Sequence, residues 1–204
     1  MTADRKGAKP AILATMTPSP WGTNRHRKYS RAGWVSEGDM LSAIVNAAGN
    51  RAAGGVVIEL GCGLGHVAAA FADIAARVVA VDHDENMLSQ AHARDHVEYV
   101  HSKVELFDHS PVDVVVARNV IHYIGGPLLF EKARNLLRPA GIFLVCQAVP
   151  PSTAARPWHD QLHDMMGVAR APNTDDIVAG FALEGFSSIK VTYYFHRMNV
   201  TDWV

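Results

Sequence analysis

The sequence predicts an α/β fold built on a doubly wound, mostly parallel sheet, and three observations carry that prediction. Short apolar runs recur at 56–60, 77–81, 97–100, 112–117 and 142–149. Stretches with helical character separate most of them. A cluster of glycines follows the first run directly. Continuously apolar strands are those of a parallel sheet covered on both faces, and right-handed crossovers then make the arrangement doubly wound.

Taken in order, residues 1–24 hold three prolines and read as a loose leader. A helix is expected over Ser36–Ala48, with Glu37 and Asp39 suiting its positive end and Gly49 following its last turn. Residues 1–50 are therefore expected to form a leader and helical lid, and 51–204 the main domain. Gly54-Gly55 breaks the chain before the strand Val56–Leu60. An Ala-rich helix is expected over Gly65–Ala76, a strand over Arg77–Val81, a helix over Glu85–Arg94 and a strand over Val97–Val100. The fourth strand, Val112–Ala117, is apolar after Asp113. A helix over Leu128–Leu137 leads through Arg138-Pro139-Ala140-Gly141 into the strand Ile142–Val149. Residues 150–173 are irregular, rich in His, Trp and Met, and read as a cover segment. Thr174 is expected to cap a helix ending near Leu183 or Glu184, with Gly185 beyond it. Ser187–Phe195 alternates well enough to be a strand.

Length and composition bound the answer. A chain of 204 residues, 49% hydrophobic and 19% charged, suits one globular domain with a sizeable core. No run reaches the roughly 18–20 apolar residues of a membrane span, and the start lacks a secretory pattern. Cys62 and Cys146 make neither a disulfide framework nor a CxxC signature, so buried thiols in the cytoplasm are expected. The net charge of −1 argues against a nucleic-acid partner. Seven basic residues nevertheless gather in the first 36 positions (Arg5, Lys6, Lys9, Arg25, Arg27, Lys28 and Arg31), against the single acid Asp4.

The chemistry concentrates in Glu59-Leu60-Gly61-Cys62-Gly63-Leu64-Gly65-His66. Glycines between a strand and its helix allow a sharp turn and a close approach to a ligand. A dinucleotide loop would place its third glycine where His66 stands, which disfavours a nicotinamide cofactor. Asp82 ends the second strand at the spacing expected of an acid that accepts from both ribose hydroxyls. The alternative is an ordinary strand-end aspartate capping the next helix.

These motifs, on a Rossmann-like sheet, resemble the class I S-adenosylmethionine-dependent methyltransferases, in their small-molecule, ubiquinone/menaquinone-methyltransferase-like branch. The resemblance runs from about Val56 to Val149. Besides the glycine loop it rests on Val79-Ala80-Val81-Asp82, on Asp113-Val114-Val115-Val116-Ala117-Arg118-Asn119-Val120-Ile121-His122 and on Leu136-Leu137-Arg138-Pro139-Ala140-Gly141. It implies S-adenosylmethionine as cofactor, S-adenosylhomocysteine as product, and an antiparallel hairpin at the end of the sheet, of which Ser187–Phe195 would be one strand. Glu59, Gly61, Cys62 and Gly63 would line the methionine half and Asp82 would hold the ribose. His83 and Met87 would flank ribose and adenine. The family's acid near the adenine amino group is replaced by Lys103, which cannot accept from it, so adenine recognition falls to Ser102, to backbone groups through Val104, or to Glu105.

Methyl transfer asks the protein to align a nucleophile and exclude water. Arg118, Asn119, His122 and Tyr123 lie just past the fourth strand, where a doubly wound sheet binds its ligands. His122 is either a general base or a packed histidine. Arg118 either steers the methionine carboxylate or an acidic substrate, or makes a salt bridge. Tyr123 completes the candidate catalytic set. Trp21, Arg25, His26, Tyr29, Arg31 and Trp34, with Trp158, His159, His163, Met165 and Met166, would either form an apolar acceptor pocket or simply pack. His159 and His163 lack the further ligands of a metal site, and none is expected. The expected partner is a small-molecule acceptor. An RNA or protein methyltransferase is the alternative, argued against by the lack of an Asn/Asp-Pro-Pro-Tyr/Phe motif after the fourth strand; a cofactor-binding protein without catalysis is another. The sequence leaves the oligomeric state open, a homodimer included.

Overall fold

The computed structural model describes residues 38–149, 155–166, 170 and 172–192. Five parallel strands form its sheet, in the order β3-β2-β1-β4-β5. They are β1 (Val56–Leu60), β2 (Arg77–Asp82), β3 (Val97–His101), β4 (Val112–Arg118) and β5 (Leu137–Cys146). The helices are α1 (Gly38–Ala48), α2 (His66–Phe71), α3 (Glu85–Leu88), α4 (Ile121–Ile124), α5 (Gly126–Leu136), α6 (Arg156–Met166) and α7 (Thr174–Leu183).

Alternation along each strand sends side chains to opposite faces, and the two faces make separate cores. Val57, Val78, Ala80, Val114 and Val116 pack with Ile44 and Ala48 of α1 and Val67, Ala68 and Phe71 of α2. Ile58, Leu60, Val79, Val81, Val115 and Ala117 pack with Leu129, Phe130, Ala133 and Leu136 of α5, and Ile177 and Phe181 of α7 lie against that core. Every residue of β4 is buried. That includes Asp113, whose carboxylate accepts the Val56 N–H at 2.9 Å and pairs with the Arg138 guanidinium.

The differences from the expected elements have local causes. The helix expected over Gly65–Ala76 closes at Phe71, and the one expected over Glu85–Arg94 at Leu88. In both, the chain leaves as turns stitched by backbone bonds, such as Ala75 N–H to Phe71 C=O at 2.9 Å and Ala91 N–H to Leu88 C=O at 3.1 Å. The fifth strand begins at Leu137, the last residue of the expected helix, and takes in the expected turn. Its partners on β4 jump from Val112↔Leu137 to Val114↔Ile142, so Arg138–Gly141 form a bulge. Ala140 in that bulge has φ 64°, a left-handed conformation that glycine adopts more easily. The cap of α7 is Asn173 and not Thr174: its side chain accepts the Asp176 N–H at 2.8 Å, and Asp176 accepts the Asn173 N–H in return. Among the described residues, Ser187–Thr192, the described part of the expected antiparallel strand, forms no strand pairing. Its last residues, 193–195, lie outside the described residues, as do Trp21, Arg25, His26, Tyr29, Arg31 and Trp34. The side chains of His159, His163, Met165 and Met166 also lie outside the description; Trp158 is described and exposed.

Candidate active site

The strand order reverses between β1 and β4, and the carboxyl ends of these two strands are in register, with Leu60 beside Ala117. On the other side Leu60 pairs with Val81, which brings Asp82 to the same edge. A doubly wound sheet takes its ligands where the connections from two such strands part in opposite directions. The loop Gly61–Gly65 follows β1 directly at that edge.

That loop is set by its glycines. Gly61, Gly63 and Gly65 have φ of 74°, 56° and 75°. The vacancies left by the missing Cβ atoms are filled by the protein's own side chains. A Cβ on Gly61 would collide with Val120, whose Cβ would lie 3.1 Å away, and one on Gly65 with the ring of Tyr99. Among the described residues, Gly63 meets only Met87 Cε, at 3.2 Å. Two of the three glycines thus serve close internal packing, and Gly63 is the one whose surroundings suit ligand approach. The Gly61 and Cys62 N–H groups donate to Val81 C=O at 2.8 and 2.9 Å, tying the bend to β2.

Glu59 is buried, on the α1/α2 side of β1, with 2% of its surface exposed. The N-cap of helix α2 is Gly65, which has no side chain to satisfy the first N–H groups. Glu59 does it from below: its carboxylate accepts the Ala68 N–H at 2.8 Å. Burial pushes the Glu59 carboxyl up to about 8, against the opposing pull of that hydrogen bond and of Arg118. Burial, with the neighbouring Glu59 and Asp82 charges, also raises the Cys62 thiol, so Cys62 stays protonated and poorly nucleophilic. The Cys146 thiol is raised by burial too.

Asp82 behaves differently although it is nearly as buried. Burial works to raise it, but hydrogen bonds from His83 and from the Asp84 and Gly63 N–H groups outweigh that, and the carboxyl lies below its ordinary value. Its Oδ2 accepts Gly63 N–H at 2.7 Å and its Oδ1 accepts Asp84 N–H at 2.9 Å. The cap of α3 is supplied by Asp84, which accepts from the Asn86 and Met87 N–H groups. Asp82 is therefore not the helix-capping residue. It is an ionised carboxylate joining the glycine loop to the tip of β2.

The remaining expected residues gather around this edge. Met87 is buried against Gly63, while His83 is exposed, with its Nδ1 3.4 Å from Asp82. Ser102 donates its N–H to Asp82 C=O at 2.9 Å, and Val104 is buried below it. Lys103 takes part in that turn through its carbonyl, which accepts from Leu106 and Phe107. Arg118 is buried at the end of β4, paired in register with Cys146. His122 and Tyr123 stand side by side in α4, ring centroids 4.1 Å apart, Tyr123 being exposed.

Sequence reasoning assigned no individual role to three residues of this edge. Asn119 has φ 52°, its N–H donates to Cys146 C=O at 2.8 Å, and its side chain accepts Ala148 N–H at 2.8 Å, so it locks the exit of β4 to the exit of β5. An asparagine just past a strand is the usual signal for such a left-handed position. Val120 and Tyr99 act through long-range contacts with Gly61 and Gly65, which no local pattern announces. His66, noted only for excluding the dinucleotide loop, packs its ring on His92 at 4.5 Å and is pushed down to about 4 by burial, His92 and Arg118, so it is neutral.

Residues 58–145 match the family described as a methyltransferase domain. The chain carries a class I S-adenosylmethionine-dependent methyltransferase fold. A protein of Mycolicibacterium smegmatis named "Probable S-adenosylmethionine-dependent methyltransferase" is 40% identical over 101 residues, covering 47% of this chain and 39% of its own length. The ribosomal RNA small subunit methyltransferase A of Myxococcus xanthus is 32% identical over 146 residues, covering 65% of this chain and 50% of its own. The chain thus spans half or less of these two curated relatives. Among solved structures, the phosphoethanolamine N-methyltransferase 2 of Haemonchus contortus in complex with S-adenosylmethionine superposes with a TM-score of 0.71 at 19% identity, over 87% of this chain and 46% of that one. The site's chemistry fits the cofactor of this methyltransferase fold. An ionised carboxylate stands ready to accept from hydroxyl groups, Gly63 leaves a cradle that only Met87 approaches, and Met87 offers a polarizable apolar wall.

Proposed function

We propose that this protein transfers the methyl group of S-adenosylmethionine to a small-molecule acceptor in the cytoplasm, an aromatic or polyketide-like metabolite of the kind handled by the ubiquinone/menaquinone-methyltransferase-like branch. The observation that carries this reading is Asp82. Its carboxylate is held ionised at the sheet's carboxyl edge and hydrogen-bonded to Gly63, so one group positions the loop at the edge where a doubly wound sheet takes its ligands.

Bound there, S-adenosylmethionine supplies an electrophilic methyl on a sulfonium, and its transfer leaves S-adenosylhomocysteine. Asp82 has lone pairs beyond the two backbone bonds to accept from the ribose hydroxyls. Met87 covers the adenosyl side, with the turn Ser102–Val104 supplying backbone groups. Glu59, Gly61, Cys62 and Gly63 place the methionine end, and Glu59 fixes the first turn of α2 beneath it. Arg118, a buried cation at the tip of β4, suits the methionine carboxylate. His122 takes the acceptor's proton as the new bond forms, and the exposed Tyr123 ring beside it offers a face to the acceptor.

An RNA acceptor is the second reading, favoured by the likeness to the Myxococcus ribosomal RNA enzyme. The two part in one experiment, in which methyl-labelled S-adenosylmethionine is incubated with the protein and either total RNA or a small-molecule extract. Label in the extract is expected. Label in the RNA alone would transfer the assignment to RNA, and label in neither, with no stabilisation by S-adenosylhomocysteine, would overturn methyl transfer.

A further inference from the structure

The glycine loop is braced from the far side of the sheet. Tyr99 lies in β3, two strands away from β1, and its side chain is on the face that carries α1 and α2. Its ring fills the space that Gly65 leaves open: a Cβ there would stand 2.7 Å from the ring's Cε1. Its hydroxyl donates to His92 C=O at 2.6 Å. The His92 N–H in turn donates to Leu64 C=O at 3.1 Å, and the Gly65 N–H donates back into the loop, to Cys62 C=O at 2.9 Å. One hydroxyl on β3, the backbone of one residue after α3 and the second half of the loop are thereby linked in series.

We propose that Tyr99 is a positioning residue for the cofactor loop: through the backbone of His92 its hydroxyl holds Leu64 and Gly65 in the bent form that fixes where Cys62 and Gly63 stand. The inference rests on the methyltransferase reading given above. The hydroxyl is suited to a permanent donor role. Burial, with the charges of Cys62 and Glu59, pushes it up to about 12, so it keeps its proton at any working pH. Gly65 is then required twice, for its φ of 75° and for the ring that occupies its vacancy. The brace leaves the methyl acceptor untouched, so its loss is expected in cofactor binding and not in the chemical step.

Tyr99→Phe is the test, because it keeps the ring against Gly65 and removes only the donor. A net hydrogen bond of about 0.5–1.5 kcal/mol corresponds to roughly 2–12-fold in an equilibrium. The Kd for S-adenosylhomocysteine, by calorimetry, should rise about 3–10-fold, while kcat at saturating S-adenosylmethionine stays within about twofold. In the cofactor-free protein, amide hydrogen exchange at Gly65 and His92 should quicken by a similar factor, with the amides of β4 unchanged. Equal exchange and equal Kd in the two proteins would overturn the inference. So would a Tyr99→Phe chain that does not fold, because the hydroxyl would then be supporting the whole domain and not the loop. If the unsubstituted protein binds no S-adenosylhomocysteine, the methyltransferase reading falls, and the exchange comparison still decides whether Tyr99 holds the loop.

Discussion

Replacing Glu59 by glutamine should make the protein more stable in mild alkali while changing little in mild acid. Glu59 is buried beneath α2, and burial lifts its carboxyl from 4.5 to about 8. The unfolded chain therefore loses this proton near pH 4.5, whereas the folded chain keeps it to about pH 8. Between those values folding must take up a proton, so the stability present below pH 4.5 declines as pH rises to about 8 and is lost above it. At 1.36 kcal/mol per pH unit the window caps the effect at roughly 5 kcal/mol, and partial hydration of the ionised site would leave on the order of 2–3 kcal/mol. Glutamine retains a carbonyl oxygen for the Ala68 N–H and carries no charge. Urea unfolding of both proteins at pH 5.5 and 8.5 measures the effect, because other titrating groups cancel in the comparison. The advantage of Glu59→Gln should widen by about 2–3 kcal/mol between the two conditions. A difference that stays constant with pH would show that Glu59 is ionised throughout, and the reasoning from its burial would fail.

Three further outcomes follow from the same geometry. Ala140→Gly should stabilise the protein by about 0.5–1.5 kcal/mol, since it relieves a left-handed alanine while keeping the carbonyl that accepts from Arg51 Nε at 2.8 Å; a raised urea midpoint with unchanged slope would register it. Asn119→Ala should destabilise by about 1.5–2.5 kcal/mol, through strain at φ 52° and the lost bond to Ala148 N–H, read as a lower melting temperature. His122→Ala should lower turnover by about a hundredfold and leave the calorimetric affinity for S-adenosylhomocysteine within about twofold; unchanged turnover would assign His122 to packing.

What the sequence discloses depends on the range of the interaction. The five apolar strands were legible because a sheet buried on both faces excludes polar residues from its runs, and Val56–Leu60 has the same bounds in the structure as in the reading. Helix ends were less legible. α2 and α3 stop early through turns whose bonds resemble those of a helix, so their residues carry no distinct stop signal. The bulge at Arg138–Gly141 was read as a turn because Pro139 and Gly141 signal one, while the pairing of Leu137 with Val112 is a tertiary event. At the site, Asp82 could be identified by its spacing from the loop. Glu59 was expected beside the methionine; that its carboxylate also accepts the Ala68 N–H in the first turn of α2, behind a glycine cap, is a contact that no local pattern announces. Tyr99 and Val120 stayed hidden because their partners lie 34 and 59 positions away in sequence.

The account depends most directly on Asp82, and a calorimetric titration of S-adenosylhomocysteine into the unsubstituted protein and Asp82→Ala tests it. Removing a buried, hydrogen-bonded carboxylate should cost about 1–3 kcal/mol of binding, a Kd roughly 5–150-fold higher. Equal affinity in the two proteins, or no binding to either, would contradict it.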